Sequence, residues 1–140
     1  MVVKLAFMES NNVGTFQFNP LLDQKCLEEL YENDLEYVIQ MFEIYIEMVE
    51  SEILKLKNAA ESSNNEEVRQ IAHKIKPVFL MVGLPKLNAL AKQIESKYNS
   101  VADDELIRLI SVLYEKINET TPILVSEIDA MKSVKSPTND

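Results

Sequence analysis

Residues 68–84 read Val68-Arg69-Gln70-Ile71-Ala72-His73-Lys74-Ile75-Lys76-Pro77-Val78-Phe79-Leu80-Met81-Val82-Gly83-Leu84, and this stretch decides the fold. At about 100° per residue of α-helix, Ile71, Ala72, Ile75, Phe79 and Val82 all fall within about 60° of Val68. They form one apolar stripe on a helix predicted to start after Asn65 and run to Val82. His73 falls about 140° from Val68, on the solvent side. Arg69, Gln70, Lys76, Pro77 and Leu80 lie within about 60° of it. The one histidine of the chain therefore stands on a surface that is partly cationic and partly apolar. Gly83 suits the left-handed residue that closes a helix, and Pro85 suits the first turn of the next.

The same periodicity extends in both directions. A short helix is predicted from an Asp23 N-cap through Leu27, Leu30 and Tyr31, interrupted at Asn33 and Asp34. From Asp34, Leu35, Val38, Phe42, Tyr45, Val49, Ile53, Leu56 and Ala60 recur in steps of three and four. Ile39 and Ile46 widen that stripe, and Glu61-Ser62-Ser63-Asn64-Asn65 ends it. Downstream, Leu87, Leu90, Ala91 and Ile94 mark a helix ending around Asn99 and Ser100. Another, from Asp103, carries Leu106, Leu109, Leu113, Ile117, Leu124, Ile128 and Met131. Pro122 lies inside it and is expected to kink or divide it. Short connections between long amphipathic helices make neighbours antiparallel. The expected fold is all-α: an up-and-down four-helix bundle with a short additional N-terminal helix. Residues 1–19 are expected to be a loosely packed arm offering Val13, Phe16 and Phe18 to the bundle. Residues 20–134 make the bundle and 135–140 a polar tail.

Composition narrows the function. The 140 residues suffice for one core, and two glycines are few for a sheet protein with tight hairpins. A net charge of −9 opposes sequence-independent binding to nucleic acid and docking on anionic membranes. The apolar N-terminal stretch is too short for a signal segment, and no apolar run approaches about 18 residues. A cytoplasmic protein is the default. The single cysteine, Cys26, excludes an intrachain disulfide and reads as a buried, inert thiol. One exposed histidine makes no zinc site, so no metal is expected. No phosphate-binding loop or glycine-rich kinase lid is visible, so autophosphorylation from ATP is not expected. Between Val68 and Ile94 there is no acidic residue, against Arg69, Lys74, Lys76, Lys86 and Lys92. A positive field around His73 would favour an anionic ligand or partner.

The stretch Ala72-His73-Lys74-Ile75-Lys76, with Gly83 ten residues after the histidine and then Leu87, Leu90, Ala91 and Glu95, resembles the signature of histidine phosphotransfer (HPt) domains. The resemblance covers roughly residues 21 to 130. It implies that His73 accepts and donates a phosphoryl group and that Lys76 stabilises the phosphoryl charge. It implies a partner-docking surface made by Arg69, Lys74, Pro77, Leu80, Met81 and Gly83. The implied partners are response-regulator receiver domains and a hybrid histidine kinase, met by a monomer. The chain would be a phosphoryl carrier rather than an independent enzyme. It would bind no cofactor, the Mg²⁺ being supplied at the partner receiver site. Two departures stand out: Pro77 replaces the glycine that usually follows the lysine, and Val78 and Phe79 replace small residues. Pro77 favours one alternative, an HPt-fold docking module without transfer. A helical scaffold binding an acidic partner is the other.

Overall fold

Short polar side chains start the first three described helices by accepting hydrogen bonds from backbone donors that the helix cannot satisfy itself. In the computed structural model, which describes residues 14–97 and 104–135, Asp23 accepts from the Cys26 N–H (3.0 Å) at the head of α1, Gln24–Tyr31. Asp34 accepts from the Tyr37 N–H (3.2 Å) to start α2, Leu35–Glu61. Asn64 accepts from the Glu67 N–H (3.2 Å) to start α3, Asn65–Ile75. There follow α4, Val78–Met81, α5, Pro85–Ser96, and α6, Asp104–Lys135. The intervening turns use left-handed residues, Glu32 (φ 52°), Asn33 (φ 62°), Ser63 (φ 55°) and Gly83 (φ 74°).

The chain folds as the expected helical bundle. Helix α2 packs on α3 and α6, and α5 packs on α3 and α6, which closes a ring of four. Phe42, Leu56, Val68, Ile75, Phe79 and Ile94 are wholly buried between them. All six stripe positions of the central stretch, Val68 through Val82, lie in this core.

Two helix predictions change. The helix carrying His73 stops at Ile75 rather than Val82, because Pro77 has no N–H for the His73 carbonyl and its ring crowds that turn. The chain resumes as the single turn α4, through a Leu80 N–H to Pro77 carbonyl bond of 3.2 Å. Conversely, Pro122 does not divide α6. It faces solvent, and nearby hydroxyls cover carbonyls of that turn: Thr121 Oγ1 to Ile117 (2.8 Å) and Thr120 Oγ1 to Lys116 (2.8 Å).

The described part of the N-terminal arm is docked rather than loose. Phe16 and Phe18 stack edge to face (4.9 Å), and Phe18 lies 6.2 Å from the Phe42 ring. Gln24 clamps the backbone of both, accepting from the Phe18 N–H and donating to the Phe16 carbonyl, each at 2.8 Å. The Asn19 N–H donates to Glu127 of α6 (2.9 Å). Val13, the expected helix end at Asn99 and Ser100, and residues 136–140 lie outside the described residues. Cys26 is half-buried rather than fully buried, and burial still pushes its thiol pKa up. Among the described residues no helix is long and apolar enough to cross a membrane.

Candidate functional site

Helix α3 presents His73 outward from the core stripe, and its side chain is 66% exposed. Its ring is nevertheless held. Nδ1 lies 2.7 Å from Oε2 of Glu95, and Lys76 Nζ donates to Oε1 of the same carboxylate, also at 2.7 Å. One carboxylate from α5 therefore ties together two residues of the α3 segment. The Lys76 ammonium, and after it the His73 ring, pull the Glu95 carboxyl below the usual carboxylate range against the opposing effect of partial burial. Ionised, Glu95 can only accept. Nδ1 must then carry the ring proton of neutral His73, leaving the Nε2 lone pair without a partner among the described residues on a largely exposed side chain.

The α5 register explains how Glu95 arrives there. Leu87, Ala91 and Ile94 bury one face of that helix. Asn88 and Glu95, seven residues apart, share its flank toward α3. Asn88 Nδ2 donates to the Lys76 carbonyl (2.8 Å).

The cations around His73 are less free than an acid-free sequence stretch implies. Lys74 pairs with Glu52 of α2 (2.9 Å), a carboxylate whose side chain is only 9% exposed and which also meets Lys55 at 3.6 Å. Arg69 bonds Glu66 one turn before it (Nε to Oε1, 3.2 Å). The expected positive surface is thus partly neutralised by carboxylates delivered from α2, α5 and the first turn of α3.

The apolar residues near the histidine divide. Pro77 and Leu80 are exposed, and Met81 is half-buried with its carbonyl accepting from the Tyr31 hydroxyl (2.6 Å). Gly83, expected in the docking surface, is buried and has no face to offer. Its carbonyl accepts from the Asp23 N–H (2.9 Å), and a Cβ there would meet Leu27 Cδ1 at 2.9 Å and the Asp23 nitrogen at 3.2 Å. Its place is structural: a left-handed turn against which α1 is seated.

Sequence reasoning quoted Glu95 only as the end of the resembling stretch and gave it no role, and it missed Glu52 and Asn88. A further signal for Glu95 and Asn88 was their seven-residue spacing beside the α5 core stripe. Glu52 gave none, since it sits among stripe positions of α2 and meets Lys74 only through the packing of α2 on α3.

The Hpt domain family model matches residues 40–131, a span that includes His73, Lys76, Pro77, Asn88 and Glu95. No curated protein and no solved structure gives a match.

Proposed function

This chain belongs to the Hpt domain family, the phosphotransfer modules of two-component systems, and we propose that in a phosphorelay it carries a phosphoryl group on Nε2 of His73. The observation that carries this reading is the bond between His73 Nδ1 and Glu95. It fixes the tautomer in which Nε2 is the nucleophile on the exposed side. The Nε2 lone pair attacks the phosphorus of a receiver-domain aspartyl phosphate. The N–P bond forms, the O–P bond breaks, and its electron pair leaves with the aspartate carboxylate. The ring keeps its Nδ1 proton and becomes cationic, and Glu95 balances that charge. The reverse step hands the phosphoryl group to a second receiver.

Such transfers depend on positioning and charge neutralisation rather than on covalent machinery in the carrier. Lys76 supplies a cation one turn from His73, and Pro77, Leu80 and Met81, with Arg69 and Lys74, form the docking surface for a receiver or a hybrid histidine kinase. Among the described residues no three His, Cys, Asp or Glu side chains converge as a metal site. The Mg²⁺ that neutralises phosphoryl oxygens is assigned to the acidic pocket of the partner. The chain is read as a monomeric, cytoplasmic carrier without autokinase activity.

The test is incubation with a phosphorylated receiver domain. Acid-labile label should appear on the wild type and not on His73→Gln. Pro77, which breaks the helix beside the histidine, favours a second reading as a docking module without transfer. Measurable receiver binding with no label from any donor would establish that reading and end the first.

A further inference from the structure

The break at Pro77 leaves a helical carbonyl to be satisfied from outside. In an unbroken helix the Leu80 N–H would reach the Lys76 carbonyl. Here it bonds Pro77 instead, and the Lys76 carbonyl is taken by Asn88 Nδ2 at 2.8 Å. The same flank of α5 supplies Glu95 to the other end of Lys76, its ammonium. Helix α5 therefore grips one residue twice, by backbone and by side chain, and the carboxylate of the second grip also holds His73. Asn88 is half-buried, so its amide is partly shielded from competing water.

We propose that Asn88 is a positioning residue of the phosphotransfer site: its amide replaces the helical bond lost at the Pro77 break and so sets Lys76 and His73 against Glu95. The role rests on the reading of His73 as the phosphoryl carrier. Pro77 and Asn88 act as a pair. The proline ends α3 directly after the site residues, and the asparagine fixes where the next backbone unit lies. Without the amide, the Lys76 carbonyl turns to water, the backbone at the break shifts, and the Lys76–Glu95–His73 arrangement loosens.

The pairing yields a test by double substitution. Pro77→Ala returns an N–H for the His73 carbonyl and lets the Leu80 N–H reach Lys76, so it makes Asn88 dispensable. Four proteins are compared: wild type, Asn88→Ala, Pro77→Ala and the double variant. Asn88→Leu serves as a second variant that keeps the volume and loses the donor. Two readouts report the site directly: the Glu95 carboxyl titration and the ¹⁵N shifts of the His73 ring. Receiver-to-His73 transfer rate is the third. Asn88→Ala should move the Glu95 midpoint up toward the ordinary carboxylate range, reduce the Nδ1–H signature, and slow transfer about fivefold, the worth of one hydrogen bond. In the Pro77→Ala background the same change should have an effect within about twofold of none.

Two results overturn the proposal: Glu95 titration and His73 shifts unchanged in both Asn88 variants, or an Asn88 effect of the same size with and without Pro77. If wild-type protein takes no phosphoryl group from any receiver, the transfer reading fails. The two NMR readouts then still decide the role of Asn88.

Discussion

Replacing Glu95 with alanine should slow phosphotransfer through the tautomer of His73 while leaving the fold intact. The carboxylate makes two charge-assisted hydrogen bonds of 2.7 Å, one to His73 and one to Lys76. Such a bond contributes about 1.5–3 kcal/mol when enclosed. His73 is 66% exposed, so water takes over much of it on removal, and about 1 kcal/mol is the reasonable share. That corresponds to about fivefold in the rate of the step that needs the Nε2 lone pair. The cost in stability is smaller, about 0–1 kcal/mol, since neither partner is deeply buried.

An opposing effect must be separated. Losing Glu95 also frees the Lys76 ammonium, which then faces a phosphoryl group of about −2 charge. The substitution is therefore measured alone and in a Lys76→Met background, where only the tautomer effect remains. Single-turnover transfer from a phosphorylated receiver gives the rate, and ¹⁵N spectra of the imidazole give the protonated nitrogen. In the Lys76→Met background the rate should fall about fivefold and the Nδ1–H signal should give way to a mixture. Wild-type spectra and wild-type rates in both backgrounds, from folded protein, would refute the role assigned to Glu95.

Three further outcomes follow from the same structure. Gly83→Ala puts a side chain at φ 74° with its Cβ 3.2 Å from the Asp23 backbone nitrogen, and should cost about 2 kcal/mol, read as a lowered urea midpoint. Stability within about 0.5 kcal/mol of wild type would show that the α1 seat yields freely. Tyr45→Phe removes a hydroxyl that is buried beside Phe79 with no partner among the described residues, and whose pKa burial pushes up. It should be neutral or stabilise by up to about 1 kcal/mol, and a fall in Tm would mean that the hydroxyl has a partner. Because the folded-state pKa of Glu95 is depressed, its ion-pair contribution is complete above the ordinary carboxylate range and fades as pH falls through the depressed value. A carboxyl-shift titration should place its midpoint below the ordinary carboxylate range, and a midpoint within or above that range contradicts the double grip.

How much of this was legible in the sequence depends on the range of each interaction. The core stripe from Val68 to Val82 and the outward aim of His73 follow from helical period alone, and the structure buries or exposes each residue accordingly. The cap at Asp23, the restart at Asp34 and the turn at Gly83 are equally local, whereas the third helix starts at Asn65 on an Asn64 cap rather than after Asn65. Proline was harder, because its cost depends on what surrounds it. Pro77 stops a helix in the middle of the bundle, whereas Pro122 is carried through one on an exposed side with threonine hydroxyls at hand. The site chemistry was least legible. A stretch free of acids along the chain reads as a positive patch. Yet Glu52 lies 22 residues from Lys74, and Glu95 lies 22 from His73 and 19 from Lys76. Only antiparallel packing brings them together, so the cations nearest His73, Lys74 and Lys76, are held in ion pairs. That changes the chemistry expected of His73. A bare positive field would draw in phosphate but leave either ring nitrogen free to react, whereas in the proposed role a carboxylate on Nδ1 would select Nε2 and balance the cationic ring of a phosphorylated His73.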